Sequence, residues 1–188
     1  MNIKEIEAKT ILRKRKKIDS WFISRYGMNL YRGCTHNCVY CDGRSEGYFV
    51  KGKFGEDVKV KTNAIEILKK ELSKDKNFKG KFNHGYIMLG GGVGDSYQPV
   101  EEKFNLTKKA LDLISKYNCP IHILTKSTLV KRDINLLKKI NEKTNVIISM
   151  SFSSVDDRIS KIFEPGVPPP SERLKVLSEF KNEGISCG

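Results

Sequence analysis

Several features of membrane and secreted proteins are absent from this sequence of 188 residues. It has no hydrophobic run of the roughly 20 residues that a membrane-spanning helix requires, and its N-terminus lacks a secretory signal pattern. Acidic residues are also few, with 22 Asp and Glu against 35 Lys and Arg. These features predict a cytoplasmic protein that has no membrane partner and is long enough to bury a hydrophobic core.

The sequence also lacks the common phosphate-binding glycine motifs. Its glycine-rich segment is Gly90-Gly91-Gly92-Val93-Gly94-Asp95. This segment has neither the Gly-Lys-Ser/Thr ending of a P-loop nor the glycine spacing of a dinucleotide fingerprint. Both of those nucleotide-binding interpretations are therefore excluded.

Cysteines are present in an odd number, five, which argues against a disulfide framework and for a reducing compartment. Three of them, Cys34, Cys38 and Cys41, have the spacing C-x3-C-x2-C. Three thiolates so close together suit three corners of an iron–sulfur cube and leave the fourth iron without a protein ligand. The spacing therefore predicts a metal centre with one open iron.

A structural zinc site is the alternative for these cysteines. His36, Asp42 or Cys119 would then supply the fourth ligand. Structural zinc sites more often pair two C-x2-C knuckles, and the sequence contains a single one. The spacing therefore favours the iron–sulfur interpretation.

The formal net charge of +13 favours anionic partners, of which nucleic acid is one. The densest basic block is Arg13-Lys14-Arg15-Lys16-Lys17. The alternative is that the lysines cover solvated helix faces, as at Lys69 and Lys70. A non-catalytic zinc or nucleic-acid binding module is accordingly the second functional hypothesis.

Strand and helix signals alternate from about residue 27 onward. Apolar runs predict strands over 28–31, 86–89, 121–124 and 146–150, with a fifth beginning at 185. Apolar residues at helical spacing predict helices over 62–72, 106–117, 134–140 and 171–184. This order predicts an α/β fold with a parallel sheet, curved or closed, over 27–188, preceded by a basic N-terminal extension over 1–26.

Each polar motif follows a predicted strand, at the sheet edge that carries the chemistry of α/β barrels. The chain ends as the fifth strand begins, so the predicted sheet is left with an open edge. We expect that edge to be covered by the segment around Trp21 and Phe22, or by a second copy of the chain in an oligomer.

The cysteine spacing resembles that of the radical S-adenosylmethionine (SAM) superfamily. Further segments look like the spore photoproduct lyase-related group within it, and together they span roughly residues 21 to 185. These segments are Asn29-Leu30-Tyr31-Arg32-Gly33-Cys34, Tyr40-Cys41-Asp42-Gly43-Arg44, Asp95-Ser96-Tyr97-Gln98-Pro99-Val100-Glu101, Thr125-Lys126-Ser127 with Arg132-Asp133, and Glu164-Pro165 followed by Arg173-Leu174.

The resemblance implies a radical SAM enzyme with a partial (β/α) barrel, which here ends after about four strand–helix units. It implies a [4Fe–4S] cluster on Cys34, Cys38 and Cys41, SAM bound at the free iron, and an electron donor such as flavodoxin or ferredoxin. A 5′-deoxyadenosyl radical would then abstract hydrogen from the substrate. The resemblance implies seven residues for SAM binding. Tyr40 would lie against the adenine, and Gly90, Gly91 and Gly92 would lie near the methionyl group. Asp95 would accept from the ammonium or the ribose, Lys126 would pair with the carboxylate, and Ser151 would contribute from the end of a strand.

The sequence departs from spore photoproduct lyase itself at one functional position. That enzyme places a hydrogen-donating cysteine just before the aspartate of the second-strand motif, where this chain has Val93 and Gly94. Photolesion repair is therefore not the expected reaction, although nucleic acid stays a candidate substrate class. His36 is predicted to be structural, and Glu164 with Arg173 is predicted to form a surface ion pair beside a rigid loop.

Overall fold

The computed structural model describes residues 2–45, 52–74, 85–90 and 93–188. In these ranges the strands are β1 (Asn2–Ile6), β2 (Leu12–Asp19), β3 (Ser24–Met28), β4 (Tyr31–Arg32), β5 (Asp57–Lys61), β6 (Tyr86–Leu89), β7 (Ile121–Thr125), β8 (Val146–Met150) and β9 (Ser186–Cys187). The α-helices are α1 (Ala64–Lys74), α2 (Val100–Phe104), α3 (Leu106–Ile114), α4 (Ile134–Asn141), α5 (Asp157–Phe163) and α6 (Pro170–Asn182).

The main sheet has the strand order β2-β3-β6-β7-β8-β9. The strands from β3 to β9 pair in parallel, and β2 is antiparallel to β3. Helices lie between the successive parallel strands, so β3, β6, β7 and β8 each begin a strand–helix unit and β9 begins a fifth. The chain therefore has the predicted mixed α/β fold with a parallel sheet.

The first parallel strand begins four residues before its predicted start. The prediction was 28–31, whereas β3 covers Ser24–Met28. Ser24, Tyr26 and Met28 are buried, and the residues between them are only half-buried, so the segment alternates instead of forming a continuous apolar run. Leu30 and Tyr31 are buried as well, but the chain has by then left the main sheet.

A second, smaller sheet with the order β1-β5-β4 was not predicted. β1 is parallel to β5, and β4 is antiparallel to it. Val58 and Val60 of β5 are buried, while the charged residues between them are half-buried. Alternation with charged residues is typical of a strand that buries one face, and it hid these strands from a search for apolar runs.

The expectation that the segment around Trp21 and Phe22 covers the fourth parallel strand is wrong, whereas an oligomer formed with a second copy of the chain stays a prediction. β8 lies between β7 and β9, and Ile147 and Ile148 pair with Ser186 and Cys187. The N-terminal strand β2 instead borders the opposite edge, next to β3, and Trp21 is 84% exposed. The boundary between an extension over 1–26 and a core over 27–188 stays a prediction.

The hydrophobic core lies between the sheet and its helices. It includes Leu89, Ile123 and Ile148 from the strands and Leu68 and Leu111 from the helices. Among the described residues, no helix is both long enough and apolar enough to cross a bilayer. The carboxyl ends of the parallel strands lie at one edge of this packed sheet, and the cysteine loop lies against that edge.

Candidate functional site

The cysteine loop, residues 33–41, opens onto a cavity at the carboxyl edge of the main sheet. Cys34, Cys38 and Cys41 all line this cavity, which has a volume of about 80 Å³. The wall opposite them is formed by residues that follow β6, β7 and β8, including Gly90, Asp95, Lys126 and Ser151. The structure thus brings together residues that lie far apart in the sequence and were predicted separately.

The three thiols differ in exposure. Cys34 and Cys38 are buried, whereas Cys41 is half-exposed. Burial raises the pKa of the Cys34 thiol to about 12, and the Asp95 carboxylate adds to this effect. Burial also raises the pKa of Cys38, although Lys126 acts in the opposite direction. Metal binding at these thiols therefore has to release protons, because the ligand is the thiolate.

Gln98 holds the start of the cysteine loop through both ends of its side-chain amide. Its Oε1 accepts from the Thr35 backbone N–H at 3.1 Å, and its Nε2 donates to the Gly33 carbonyl oxygen at 2.9 Å. Gly33 has a φ of +85°, and a Cβ there would lie 2.5 Å from the Asp57 carbonyl oxygen. Only glycine fits this turn at the start of the loop.

His36 links the middle of the cysteine loop to the sheet edge. Its Nε2 lies 3.1 Å from Asp95 Oδ2, and its Nδ1 lies 3.1 Å from the Gly166 carbonyl oxygen. Both ring nitrogens therefore have oxygen partners, which agrees with the structural role predicted for His36.

Asp95 is a buried anchor whose carboxylate has several donors. Besides His36, it accepts from Thr125 Oγ1 at 2.8 Å and from the backbone N–H groups of Lys126 and Tyr97, each at 2.8 Å. Burial by itself raises the pKa of Asp95, but the hydrogen bond and charge of His36 together with these donors outweigh it and lower the pKa overall. The carboxylate thus joins the cysteine loop to the end of β7, and its predicted contact with SAM stays untested.

The end of the cysteine loop is held by a buried ion pair. The Tyr40 hydroxyl donates to Glu164 Oε1, and Arg173 Nη2 donates to Glu164 Oε2 at 2.6 Å. Both side chains of the pair are fully buried, so the prediction of a surface ion pair is wrong. Arg173 also donates to the Ser151 carbonyl oxygen and to Ser160 Oγ. One guanidinium therefore connects the loop, α5, α6 and the end of β8.

Lys126 lies at the cavity with its ammonium directed along the strand ends. Its Nζ is 3.1 Å from Ser151 Oγ and 5.7 Å from the centroid of the Tyr40 ring. Tyr40 itself stands beside the cavity, 48% exposed. The arrangement places a cation, an aromatic ring and a hydroxyl next to the thiols, and the contact of each with SAM stays a prediction.

The glycine-rich segment is only partly described. Gly91 and Gly92, predicted to approach SAM, lie outside the described residues. Gly90 lines the cavity with a φ of +90°, and a Cβ there would lie 2.0 Å from the Leu124 carbonyl oxygen. A side chain at Gly90 would thus press β6 away from the adjoining end of β7.

The three thiolates can hold an iron–sulfur cube, because each thiolate of such a cluster binds a different iron. Among the described residues, no three His, Cys, Asp or Glu side chains converge as ligands of one metal ion. Of the three proposed fourth zinc ligands, Cys119 lies in the hydrophobic core and both nitrogens of His36 have oxygen partners, whereas Asp42 is exposed.

A larger cleft of about 860 Å³ adjoins the small cavity. The two share Gly90, Val93, Gly94 and Asp95 in their walls. Pockets for ligands of moderate size are about 300–1,000 Å³ in volume. The cleft thus has room for a ligand of moderate size, which the cavity of about 80 Å³ lacks.

A second buried network was missed by the sequence reasoning. Glu101, fully buried, accepts from the Tyr31 hydroxyl and from Arg132 Nη2, the latter at 2.7 Å. Gln98 and Glu101 both lie in the quoted segment 95–101, so the polar residues beside its aspartate were the available signal. Through these hydrogen bonds, Gln98 and Glu101 hold the start of the cysteine loop and β4, the strand before it, to the segment that follows β6.

Comparison with known proteins agrees with this geometry. Residues 28–188 match the family model described as the Radical SAM superfamily. The uncharacterized protein MJ0683 of Methanocaldococcus jannaschii is 32% identical over 163 residues, which are 86% of this chain and 57% of that protein. The uncharacterized protein Rv2578c of Mycobacterium tuberculosis is 30% identical over 167 residues, 87% of this chain and 47% of that protein.

A viral relative is similar to the same extent. The uncharacterized protein ORF301 of Acidianus two-tailed virus is 28% identical over 172 residues, 87% of this chain and 54% of that protein. The chain spans about half the length of the curated relatives it matches. No solved structure matches it. Because the family model covers the cysteine loop, the glycine-rich segment and all the parallel strands from β6 to β9, the chain belongs to the radical SAM superfamily.

Proposed function

We propose that this chain is the cofactor-binding part of a radical SAM enzyme. The three thiolates of the cysteine loop hold a [4Fe–4S] cluster whose fourth iron binds SAM. When bound, these cofactors supply the reducing electron and the 5′-deoxyadenosyl radical that abstracts hydrogen from the substrate. The observation that carries the proposal is that all three cysteines line one cavity together with Gly90, Asp95, Lys126 and Ser151.

The protein's own contribution is to bind and orient SAM. Lys126 pairs with the SAM carboxylate, because its ammonium lies at the cavity wall, within reach of the Ser151 hydroxyl and the Tyr40 ring. Tyr40 packs against the adenine while its hydroxyl is fixed by Glu164. Gly90 gives the backbone close access to the methionyl group, and the Ser151 hydroxyl, already within reach of Lys126, accepts or donates at the ribose.

The finer assignment follows the quoted motifs. We place the chain near the spore photoproduct lyase-related group, with a sheet that curves into a partial barrel and an outside electron donor such as flavodoxin or ferredoxin. Lyase-type radical chemistry on a nucleic acid is the reaction class that this group favours. An oligomer formed through the open edge of the sheet is part of the same proposal.

Metal analysis after anaerobic reconstitution tests the core of the proposal. We expect about four irons and four sulfides per chain, in line with a [4Fe–4S] cluster. Replacing any one of the three loop cysteines by alanine should abolish this iron and sulfide binding. Cys119→Ala, in the hydrophobic core, should not. Reduction with dithionite in the presence of SAM should then give 5′-deoxyadenosine. Stoichiometric zinc in the native protein without iron uptake would show that the zinc module is correct instead.

A further inference from the structure

The cleft that adjoins the cofactor cavity has a strongly basic wall. Among the described residues that line it, one is acidic, Asp95, and six are basic. The basic residues come from β2, β4 and β5: Arg13, Lys14, Arg15, Lys16, Arg32 and Lys61. A cleft lined by charge of one sign concentrates its field on the space inside, which attracts anions.

The single carboxylate does little to neutralise this wall. Asp95 already accepts hydrogen bonds from Thr125, from the Lys126 and Tyr97 backbones and from the His36 ring. Arg15 pairs with Asp19 on its own strand, but Arg13, Lys16 and Arg32 are exposed at the cleft. The wall therefore keeps a large positive excess where a ligand would enter.

Lys61 shows how crowded the positive charges are. Its half-buried ammonium donates to the Asn29 carbonyl oxygen at 2.6 Å. Burial lowers the pKa of Lys61, and the neighbouring Arg32 guanidinium lowers it further, although the Glu71 carboxylate acts in the opposite direction. An anion bound between the two cations would offset their repulsion.

The pairing of β2 is irregular in the part of the strand that contains Arg15 and Lys16. Successive side chains of a regular strand point to opposite faces. The pairing of β2 with β3 is shifted in register between Lys14 and Asp19. Such irregularities bend a strand and redirect its side chains, and they are common next to active sites.

Charges on an edge strand can also serve to prevent aggregation, and β2 is an edge strand. That role does not account for Lys61, which belongs to β5, the central strand of the second sheet, and lines the same cleft as Arg32 of β4. The two sheets thus contribute basic side chains to one surface, which indicates a ligand that lies between them.

We propose that this basic cleft binds the phosphate groups of a nucleic-acid strand and leads the strand to the cofactor cavity. The proposal rests on the proposed function for the identity of that cavity. The cleft and the cavity share Gly90, Val93, Gly94 and Asp95, so a nucleotide held at the basic wall borders the space where the radical would form. A strand with several phosphates fits the cleft better than one free phosphate, because the cations extend over three strands from two sheets.

Salt-dependent binding of a fluorescent single-stranded oligonucleotide to the reconstituted protein tests this. Each phosphate contact contributes about 0.7 to the slope of log K against log salt for single strands. The triple variant Arg13→Gln, Lys16→Gln, Arg32→Gln should therefore flatten the slope by about 2. At about 0.1 M salt this corresponds to roughly a hundredfold weaker binding.

A matched variant removes the same charge from exposed helix positions. Lys69→Gln, Lys139→Gln, Lys175→Gln changes α1, α4 and α6 and should leave most of the slope in place. A charge-preserving variant, Arg13→Lys with Arg32→Lys, should keep the wild-type slope. Equal losses in the cleft and helix variants would overturn the proposal, because binding would then follow overall charge.

Competition separates the sources of phosphate and the classes of polyanion. Unlabelled DNA and RNA strands should displace the probe, whereas AMP at equal phosphate concentration and polyglutamate should not. Displacement by AMP would identify a free nucleotide as the ligand, and displacement by polyglutamate an acidic peptide, and either would overturn the proposal. Iron and sulfide are measured on the same samples, so a cluster without strand binding contradicts the cleft alone, and strand binding without a cluster contradicts the proposed function alone.

Discussion

Breaking the buried ion pair between Glu164 and Arg173 should destabilise both the fold and the cofactor site. Removing one partner of a buried pair typically costs about 3–5 kcal/mol, because the other charge is left without compensation. In Glu164→Gln, the Arg173 guanidinium would keep the Ser151 carbonyl, Ser160 and the Phe152 ring, 4.8 Å away, but no anion. For a chain of this size, that loss should lower the melting temperature by about 6–20 °C.

The matched control is an exposed ion pair on α6, the helix that contains Arg173. Glu179 of this helix pairs with Lys131 at 2.8 Å, and the two side chains are 41% and 55% exposed. Exposed pairs contribute only about 0–1 kcal/mol, so Glu179→Gln should barely change stability. Thermal and denaturant unfolding of the two variants measure the difference directly. If Glu164→Gln were no less stable than Glu179→Gln, the reasoning from burial would be refuted.

The role of the pair at the site can be separated from its role in stability. Replacing both members by apolar residues, as in Glu164→Met with Arg173→Met, should recover much of the stability, since no buried charge is left unpaired. The Tyr40 hydroxyl would still lack its acceptor. We therefore expect SAM binding to stay weak in the refolded double variant, and Tyr40→Phe to reproduce part of that weakening with the ion pair intact.

Acid should reduce the difference in unfolding free energy between the wild type and Glu164→Gln. Burial by itself raises the pKa of Glu164, but Tyr40 and Arg173 together bring it below the ordinary value of 4.5. A carboxyl whose pKa is lower in the folded state stabilises the fold above its unfolded pKa, and this stabilisation disappears as the pH falls through the folded value. The gap in unfolding free energy between the two proteins should thus be constant near neutrality and should narrow below about pH 4.5.

Two other changes test single contacts at the site. Lys126→Ala should weaken SAM binding about ten- to a hundredfold, because it removes one charge-assisted hydrogen bond of roughly 1.5–3 kcal/mol, and it should leave the iron content intact. Calorimetric titration measures the SAM affinity, and an unchanged affinity would exclude Lys126 from the site. Gln98→Met keeps the buried volume but removes both hydrogen bonds to the cysteine loop, so it should lower the iron bound per chain. Its helix content, measured by circular dichroism, should equal that of the wild type. Full iron loading would show that the loop holds its shape without Gln98.

The parallel strands with continuous apolar runs could be predicted to the residue. β6 and β8 were predicted over 86–89 and 146–150 and occupy those positions, because strands inside a parallel sheet are mostly apolar along their whole length. β2 was not predicted, since five of its eight residues are Arg or Lys and its only role in the sheet is at an edge. Its pairing with β3 follows from nearness along the chain, which hydrophobic pattern does not encode.

Positions around the cavity could be predicted for a topological reason. Residues that directly follow parallel strands converge at one sheet edge whatever their distance along the chain, so Asp95, Lys126 and Ser151 could be grouped before any contact was known. The partners of the cysteine loop could not. Tyr40 and Glu164 are 124 residues apart, and a Glu or Arg in a sequence is expected at the surface unless its partner is known.

The anchors of the cysteine loop explain why so many polar groups are buried in this small protein. The loop has no strand or helix of its own through residues 33–41, so its backbone groups and the ring of His36 need partners from elsewhere. Those partners come from every later unit: Gln98 after β6, Asp95 joined to the end of β7, and the carbonyl oxygens of Gly166 and Phe163 after β8, the last accepting from Val39 at 2.9 Å. The loop therefore has its observed shape only when the units from β6 to β8 are folded together. This dependence ties the three cysteines to the whole parallel sheet, which is why a change as distant in sequence as Arg173 is expected to act on the thiols.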